Sequence, residues 1–123
     1  MTQSHVTVLA ELRLLPNCIE QGKRDLLKFA NTVRRKESDC LAIELLQDLD
    51  DPTRVTLKEV WKDRGAYEGP HLKTSHMQAF IEKSSQYFDG AAHVSFCNGT
   101  RVGADRSDTE PRAGAWRRAP YGR

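Results

Sequence analysis

Two histidines and one carboxylate near the middle of the chain are the residues whose chemistry stands out. Glu59 precedes Trp61 by two residues in a strand-like run, and His71 and His76 follow, five residues apart. An imidazole titrates near neutral pH, so either histidine could carry a proton during a reaction. A carboxylate near a tryptophan needs a polar partner or water, because burying it unpaired is costly. Structural ion pairs are as common as functional ones, so residue types alone leave both proton transfer and ordinary packing open.

A metal site is the second chemistry that these residues allow. Glu59, His71 and His76 would form a set of two histidines and one carboxylate. Two ligands on one helical face are normally three or four residues apart, whereas these histidines are five apart across an expected helix start. We therefore expect no metal. The chain also has no glycine-rich phosphate loop and no nucleophile motif, and Cys40 has no evident base nearby, so we do not expect thiol catalysis.

The elements that position these residues follow from the spacing of apolar side chains. Period-two alternation predicts strands at 5–15, 39–49, 54–62 and 91–97. Helical spacing predicts one helix over 18–36, with Asn17 and Glu20 as a capping box. A second helix is expected from Thr74 or Ser75 to Gly90.

The resulting order, β-α-β-β-α-β, predicts an α+β fold of the ferredoxin-like type, with four antiparallel strands and two helices on one side. In the third strand, alternation turns four side chains toward the helices: Val55, Leu57, Glu59 and Trp61. The other face of the sheet would be uncovered, so we expect a homodimer formed through that face.

Composition indicates one small domain in a reducing compartment. The 123 residues include three cysteines, which are widely spaced and form no CxxC motif. No run of apolar residues is long enough to span a membrane, and residues 1–6 lack the basic and apolar segments of a secretory signal. We therefore expect a cytoplasmic protein without a membrane partner.

The last 26 residues differ from the rest of the chain. Residues 98–123 contain six Arg against three acidic residues, a net +3, whereas the preceding 13 basic and 14 acidic residues give −1. This segment has no apolar periodicity, so we expect a folded domain at 1–97 and a disordered tail at 98–123. Arginines beside Trp116 and Tyr121 could touch RNA or an acidic partner, but short Arg-rich tails are common, so we expect no nucleic-acid partner.

Several segments together resemble the antibiotic biosynthesis monooxygenase family, the small dimeric α+β barrel proteins that include quinol monooxygenases. VTVLAELRLLP precedes the first helix, and ESDCLAIELLQDLDDP lies where the family has an acidic-Gly-Cys strand that ends in Asp-Asp-Pro. The pattern Leu57-x-Glu59-x-Trp61 follows, then Ala66 with Tyr67, and finally His71, Thr74-Ser75-His76 and Phe80. The order and spacing of these segments over more than 90 residues carry the resemblance.

The resemblance implies a homodimer, a pocket between sheet and helices, and oxygen chemistry without flavin, haem or metal. A quinol or phenol would lose a proton to a base, and the resulting anion would itself reduce O2. By this resemblance His71 is the base or proton shuttle and His76 is its helper. Glu59 would orient a histidine or hold the edge of the pocket. Trp61 and Tyr67 would form the substrate wall and donate hydrogen bonds, and the substrate-binding pocket would also include Phe80, Leu57 and Leu12.

Membership of such a family leaves other functions open. The haem-degrading branch usually carries an Asn in the first strand, where this chain has Leu12, so we expect no haem oxygenase activity. Other members are isomerases that degrade signalling molecules and have a similar pair of histidines. The remaining alternative is a dimeric stress or ligand-binding protein without turnover.

Overall fold

The computed structural model describes residues 5–103, which form one four-stranded sheet with helices on one face. The strands are β1 (Val6–Arg13), β2 (Cys40–Gln47), β3 (Arg54–Trp61) and β4 (His93–Cys97). The helices are α1 (Ile19–Lys36), α2 (Arg64–Glu68) and α3 (Ser75–Ser84). Short 3-10 turns at Pro16–Cys18 and His71–Lys73 precede α1 and α3.

The sheet has the strand order β2-β3-β1-β4, and every pairing is antiparallel. This order confirms the predicted ferredoxin-like α+β fold, with α2 as an additional short helix. A turn connects β2 and β3, and within it the Asp48 and Asp51 side chains accept hydrogen bonds from backbone N–H groups.

The core lies between the sheet and the helices and consists of two clusters. The predicted inward face of β3 is confirmed, since Val55, Leu57, Glu59 and Trp61 are all buried. The first cluster contains Val6, Val8, Val33, Cys40, Trp61, Ala66 and Tyr67. The second contains Ala10, Leu14, Leu26, Val55, Leu57, Tyr87 and Phe88.

Two helix boundaries differ from the prediction. The predicted capping box at Asn17 is wrong: Cys18 is the N-cap and makes no side-chain cap hydrogen bond, because Pro16–Cys18 is wound as a 3-10 turn. The second predicted helix ends at Ser84 and not at Gly90. The apolar residues that follow the helix pack into the core. Tyr87 and Phe88 are buried there, and Phe88 forms a β-bridge with Leu14.

Two further predictions concern parts of the chain away from the core. Residues 98–103 follow β4 without helix or strand, while the rest of the predicted tail lies outside the described residues. The boundary at residue 97 therefore stays a prediction. Within residues 5–103, no helix is both long enough and apolar enough to cross a membrane.

Candidate active site

The Glu37 carboxylate lies between the two histidines and is hydrogen-bonded to both. One oxygen of its carboxylate, Oε2, lies 2.8 Å from His71 Nδ1 and 2.6 Å from His76 Nε2. All three side chains are shielded, with 10% of Glu37, 2% of His71 and 14% of His76 exposed. The two histidines that the sequence singled out are therefore joined through a shared carboxylate.

Three elements of secondary structure hold these side chains in place. Glu37 is the C-cap of α1, and its backbone N–H donates to the carbonyl of Val33. His71 begins the 3-10 turn, and His76 is the second residue of α3. Thr74 links the two, because its hydroxyl donates to the His71 carbonyl and accepts from the N–H of Met77. This N-cap fixes the angle between the turn and α3.

The shared carboxylate decides which ring nitrogens are free. An ionised carboxylate only accepts hydrogen bonds, so His71 Nδ1 and His76 Nε2 carry the protons that it accepts. The lone pairs of neutral rings then lie on His71 Nε2 and His76 Nδ1. Burial lowers the pKa of His71, and the hydrogen bond to Glu37 offsets part of this effect. Burial therefore favours the neutral form of His71 beside the carboxylate.

Glu59 lies close by but has another partner. Its Oε1 accepts a hydrogen bond of 2.7 Å from the Trp61 indole N–H, whereas no hydrogen bond joins it to a histidine in the described part of the chain. Burial raises the pKa of Glu59 to about 7, against the opposing effect of the Trp61 hydrogen bond and with a further rise from the charge of Glu37. This carboxyl group is poised to titrate near neutrality.

Aromatic rings enclose His71. Its ring centroid lies 4.6 Å from Trp61 and 4.9 Å from Tyr67, and these two rings meet edge to face at 5.6 Å. Burial raises the pKa of Tyr67 to about 12, so its hydroxyl stays protonated and can donate. The three rings thus pack against one another, and His71 joins this group to Glu37 through its hydrogen bond.

An open groove between α1 and α3 leads to His76. The groove has a volume of about 210 Å³, and Phe29 and Phe80 line it with rings stacked at 4.3 Å. His76 and Ala79 complete its α3 side, and polar side chains surround it: Asp25, Lys28, Thr32, Lys83 and Tyr87. Of the two histidines, only His76 lines this groove.

A second opening lies at Glu37. This cleft, of about 290 Å³, is lined by Lys36, Glu37, Ser38, Asp39, Trp61, Ala66, Pro70 and Thr74. It shares no lining residue with the groove at His76.

The structure places the predicted pocket residues in different surroundings. Phe80 lines the groove, whereas Trp61 and Tyr67 pack around the buried His71. Leu57 belongs to the second core cluster and Leu12 packs against it, and neither lines the groove or the cleft.

Among residues 5–103, the same cluster is a set of side chains that could hold a metal ion. The ligand atoms of Glu37, His71 and His76 lie within 4.8 Å of one another, so the carboxylate beside the histidines is Glu37 and not Glu59. Both histidines already bond to one carboxylate oxygen, and a metal ion would have to replace these two short hydrogen bonds.

Sequence reasoning did not identify Glu37. This residue lies 34 positions before His71 and 39 before His76, beyond the reach of any local spacing rule. The available signal was its place as the first residue of ESDCLAIELLQDLDDP, one of the segments that carry the family resemblance.

Known proteins resemble the chain in sequence family and in fold. A family model described as antibiotic biosynthesis monooxygenase matches residues 5–83. A candidate antibiotic biosynthesis monooxygenase from Bordetella bronchiseptica superposes with a TM-score of 0.73 at 14% identity, covering 80% of this chain and 100% of that one. Protein PA3566 from Pseudomonas aeruginosa superposes at 0.72 with 23% identity, covering 82% and 99%. At such identities these structures show the fold alone, and no curated protein sequence matches significantly.

Proposed function

This chain belongs to the antibiotic biosynthesis monooxygenase family, and from that premise we propose that it is a cofactor-independent monooxygenase acting on a quinol or phenolic ring. The observation that carries the proposal is the short hydrogen bond between Glu37 and His76 at an apolar groove. A carboxylate that holds one nitrogen of an imidazole leaves the other as a directed base.

His76 is the base in this proposal. Its Nε2–H donates to Glu37, so Nδ1 is free to take a proton from a substrate in the groove. Glu37 stabilises the imidazolium that forms, because the two groups are 2.6 Å apart and both are largely buried. The resemblance cast His71 as base and His76 as helper; burial favours the opposite assignment, with His71 as a positioning residue.

The groove suits an aromatic substrate. Phe29 and Phe80 offer ring faces on which a flat substrate can stack. Deprotonation makes the substrate electron-rich, and its anion transfers one electron to O2. The two radicals combine to a peroxide anion, which takes a proton back from His76, loses water and leaves a new carbonyl, so that SH2 + O2 gives SO + H2O. The protein supplies the base and an apolar enclosure that stabilises the anion against water.

We also propose that two copies pair through the outer face of the sheet. Leu9, Val60 and Leu46 lie on the face away from the helices, outside both core clusters, and Leu46 is 43% exposed. Burying this face removes apolar area from water. Light scattering after size exclusion should give twice the chain mass of 13.9 kDa, and Leu9→Asp should shift the protein to the single mass. A single mass for the unsubstituted protein contradicts the pairing.

Oxygen uptake tests the reaction. Metal-stripped protein is offered a panel of hydroquinones and anthrone-like phenols in an oxygen electrode, beside the variants His76→Asn and His71→Asn. His5→Asn serves as the matched control, because His5 is exposed and lines neither the groove nor the cleft. We expect uptake that survives chelation and falls about 100-fold or more in His76→Asn.

The other outcomes identify the alternatives. Uptake that stays unchanged in His76→Asn refutes His76 as the base. No uptake across the panel, with substrate-proton exchange that depends on His76, indicates a non-oxidative isomerase. Ligand binding without either reaction indicates a ligand-binding protein.

A further inference from the structure

We propose that the cleft at Glu37 is the proton port of the site, through which the proton taken from the substrate reaches solvent. The proposal rests on the proposed function, and it adds a second entrance that the substrate does not use. It makes Glu37 a proton carrier as well as a positioning residue.

The geometry of the two openings points to this division. His76 lines the groove and Glu37 lines the cleft, and one hydrogen bond of 2.6 Å joins them. The openings share no lining residue, and this hydrogen bond connects a lining residue of one directly to a lining residue of the other. A proton can therefore cross from one opening to the other without a water molecule in the groove.

The proton leaves the substrate and reaches water in the cleft in three steps. The substrate O–H proton passes to His76 Nδ1, and the substrate becomes an anion. His76 then gives its Nε2 proton to Glu37 Oε2, which returns the ring to neutrality as the other tautomer. Glu37 loses this proton to water in the cleft and is again a carboxylate. When the peroxide forms, His76 returns its Nδ1 proton to it, and Nε2 takes a proton back from water in the cleft through Glu37. The ring thereby regains its first tautomer, and the complete cycle releases no net proton.

The cleft is suited to water and small ions. Its mouth carries the polar side chains of Lys36, Ser38, Asp39 and Thr74, whereas the groove presents stacked phenylalanines. Its volume of about 290 Å³ exceeds the space of a single water molecule, about 30 Å³, several-fold. A bound aromatic substrate would close the groove to water, so the cleft stays the open route to solvent.

Chemical rescue tests the port. Glu37→Ala removes the carboxylate, and formate is added as a diffusible replacement, with oxygen uptake on the best hydroquinone of the panel as the readout. Ser38→Trp plugs the cleft and Ala79→Trp plugs the groove, each combined with Glu37→Ala. Ser85→Trp is the matched control, because Ser85 is exposed and lines neither opening.

We expect formate to raise the Glu37→Ala rate about ten-fold, within the range by which such carboxylate partners support a histidine. Ser38→Trp should abolish this rescue, whereas Ala79→Trp should raise KM and leave the fold-increase by formate unchanged. If Ala79→Trp blocks the rescue by formate and Ser38→Trp permits it, the proposed proton port is refuted.

Two further measurements keep the test decisive. If Glu37→Ala does not fold, Ser38→Trp alone should lower kcat and raise the solvent deuterium isotope effect without changing KM; an unchanged kcat overturns the port.

If the protein takes up no oxygen, ¹⁵N spectra of the His71 and His76 rings in Glu37→Ala report formate binding directly. If Ser38→Trp suppresses these ring shifts and Ala79→Trp leaves them unchanged, the port is supported even though the monooxygenase proposal has failed. Absence of any shift refutes it.

Discussion

Glu59→Gln should make the protein more stable at neutral and alkaline pH and should flatten the pH dependence of its unfolding. Burial raises the pKa of Glu59 from 4.5 to about 7, a rise of about 2.5 units, and each unit corresponds to about 1.4 kcal/mol. A folded-state pKa above the unfolded value means that the native state holds its proton longer. The stability due to the protonated carboxyl is complete below pH 4.5 and is lost as the pH rises through about 7.

The magnitude follows from integrating this linkage. Between pH 5 and pH 8, the difference in proton binding at Glu59 lowers the free energy of unfolding by about 2.5 kcal/mol. The side chain is only 4% exposed, so solvent screening reduces this figure little. Gln has the same shape, and its carbonyl oxygen can still accept the Trp61 indole hydrogen bond, which isolates the effect of ionisation.

Urea unfolding followed by circular dichroism, at one protein concentration and at pH 5 to 8, measures the effect. The stability difference between Glu59→Gln and the unsubstituted protein should change by about 2.5 kcal/mol across this range in favour of Gln. Glu82→Gln is the matched control on the exposed side of α3 and should show no such change. A difference that stays constant with pH would refute the reasoning that burial governs the ionisation of Glu59.

Three other substitutions or reactions test separate parts of the structure. Gly22→Ala should lower the free energy of unfolding by about 1–3 kcal/mol in urea titrations, because the added methyl group would overlap the Leu14 side chain. Gly99→Ala has open space around it and should leave stability unchanged; equal effects at both glycines would contradict this account. Cys40 is fully buried and burial raises its pKa to about 11, so it should resist a thiol reagent at neutral pH while the other two cysteines react. Three thiols reacting at one rate would be evidence against that burial. Glu37→Gln should slow oxygen uptake about 10- to 100-fold with little change in KM, and an unchanged kcat would show that the carboxylate does not support His76.

Local patterns in the sequence determined the fold. Alternation along β3 placed Glu59 and Trp61 on the inward face, and both are buried as predicted. A period of two residues is a property of the strand itself, so it can be read without knowing what packs against it. The element order then left one sheet topology that covers a single face with helices.

Local patterns also failed at identifiable places. The second helix was predicted to continue to Gly90, but it ends at Ser84. Tyr87 and Phe88 lie beyond its end and are buried in the core. Apolar residues at helical spacing are equally compatible with a helix and with a turn that buries the same side chains. Packing decided between them.

The candidate site needed the tertiary structure. The sequence singled out His71 and His76 from their chemistry, but Trp61 turned out to be the partner of Glu59, and the carboxylate that joins the histidines is Glu37. Glu37 ends α1 and the histidines begin the turn and helix after β3, so they meet only when both helices pack on one sheet. Periodicity records which face a side chain occupies, whereas its partner across the fold depends on how distant elements pack together.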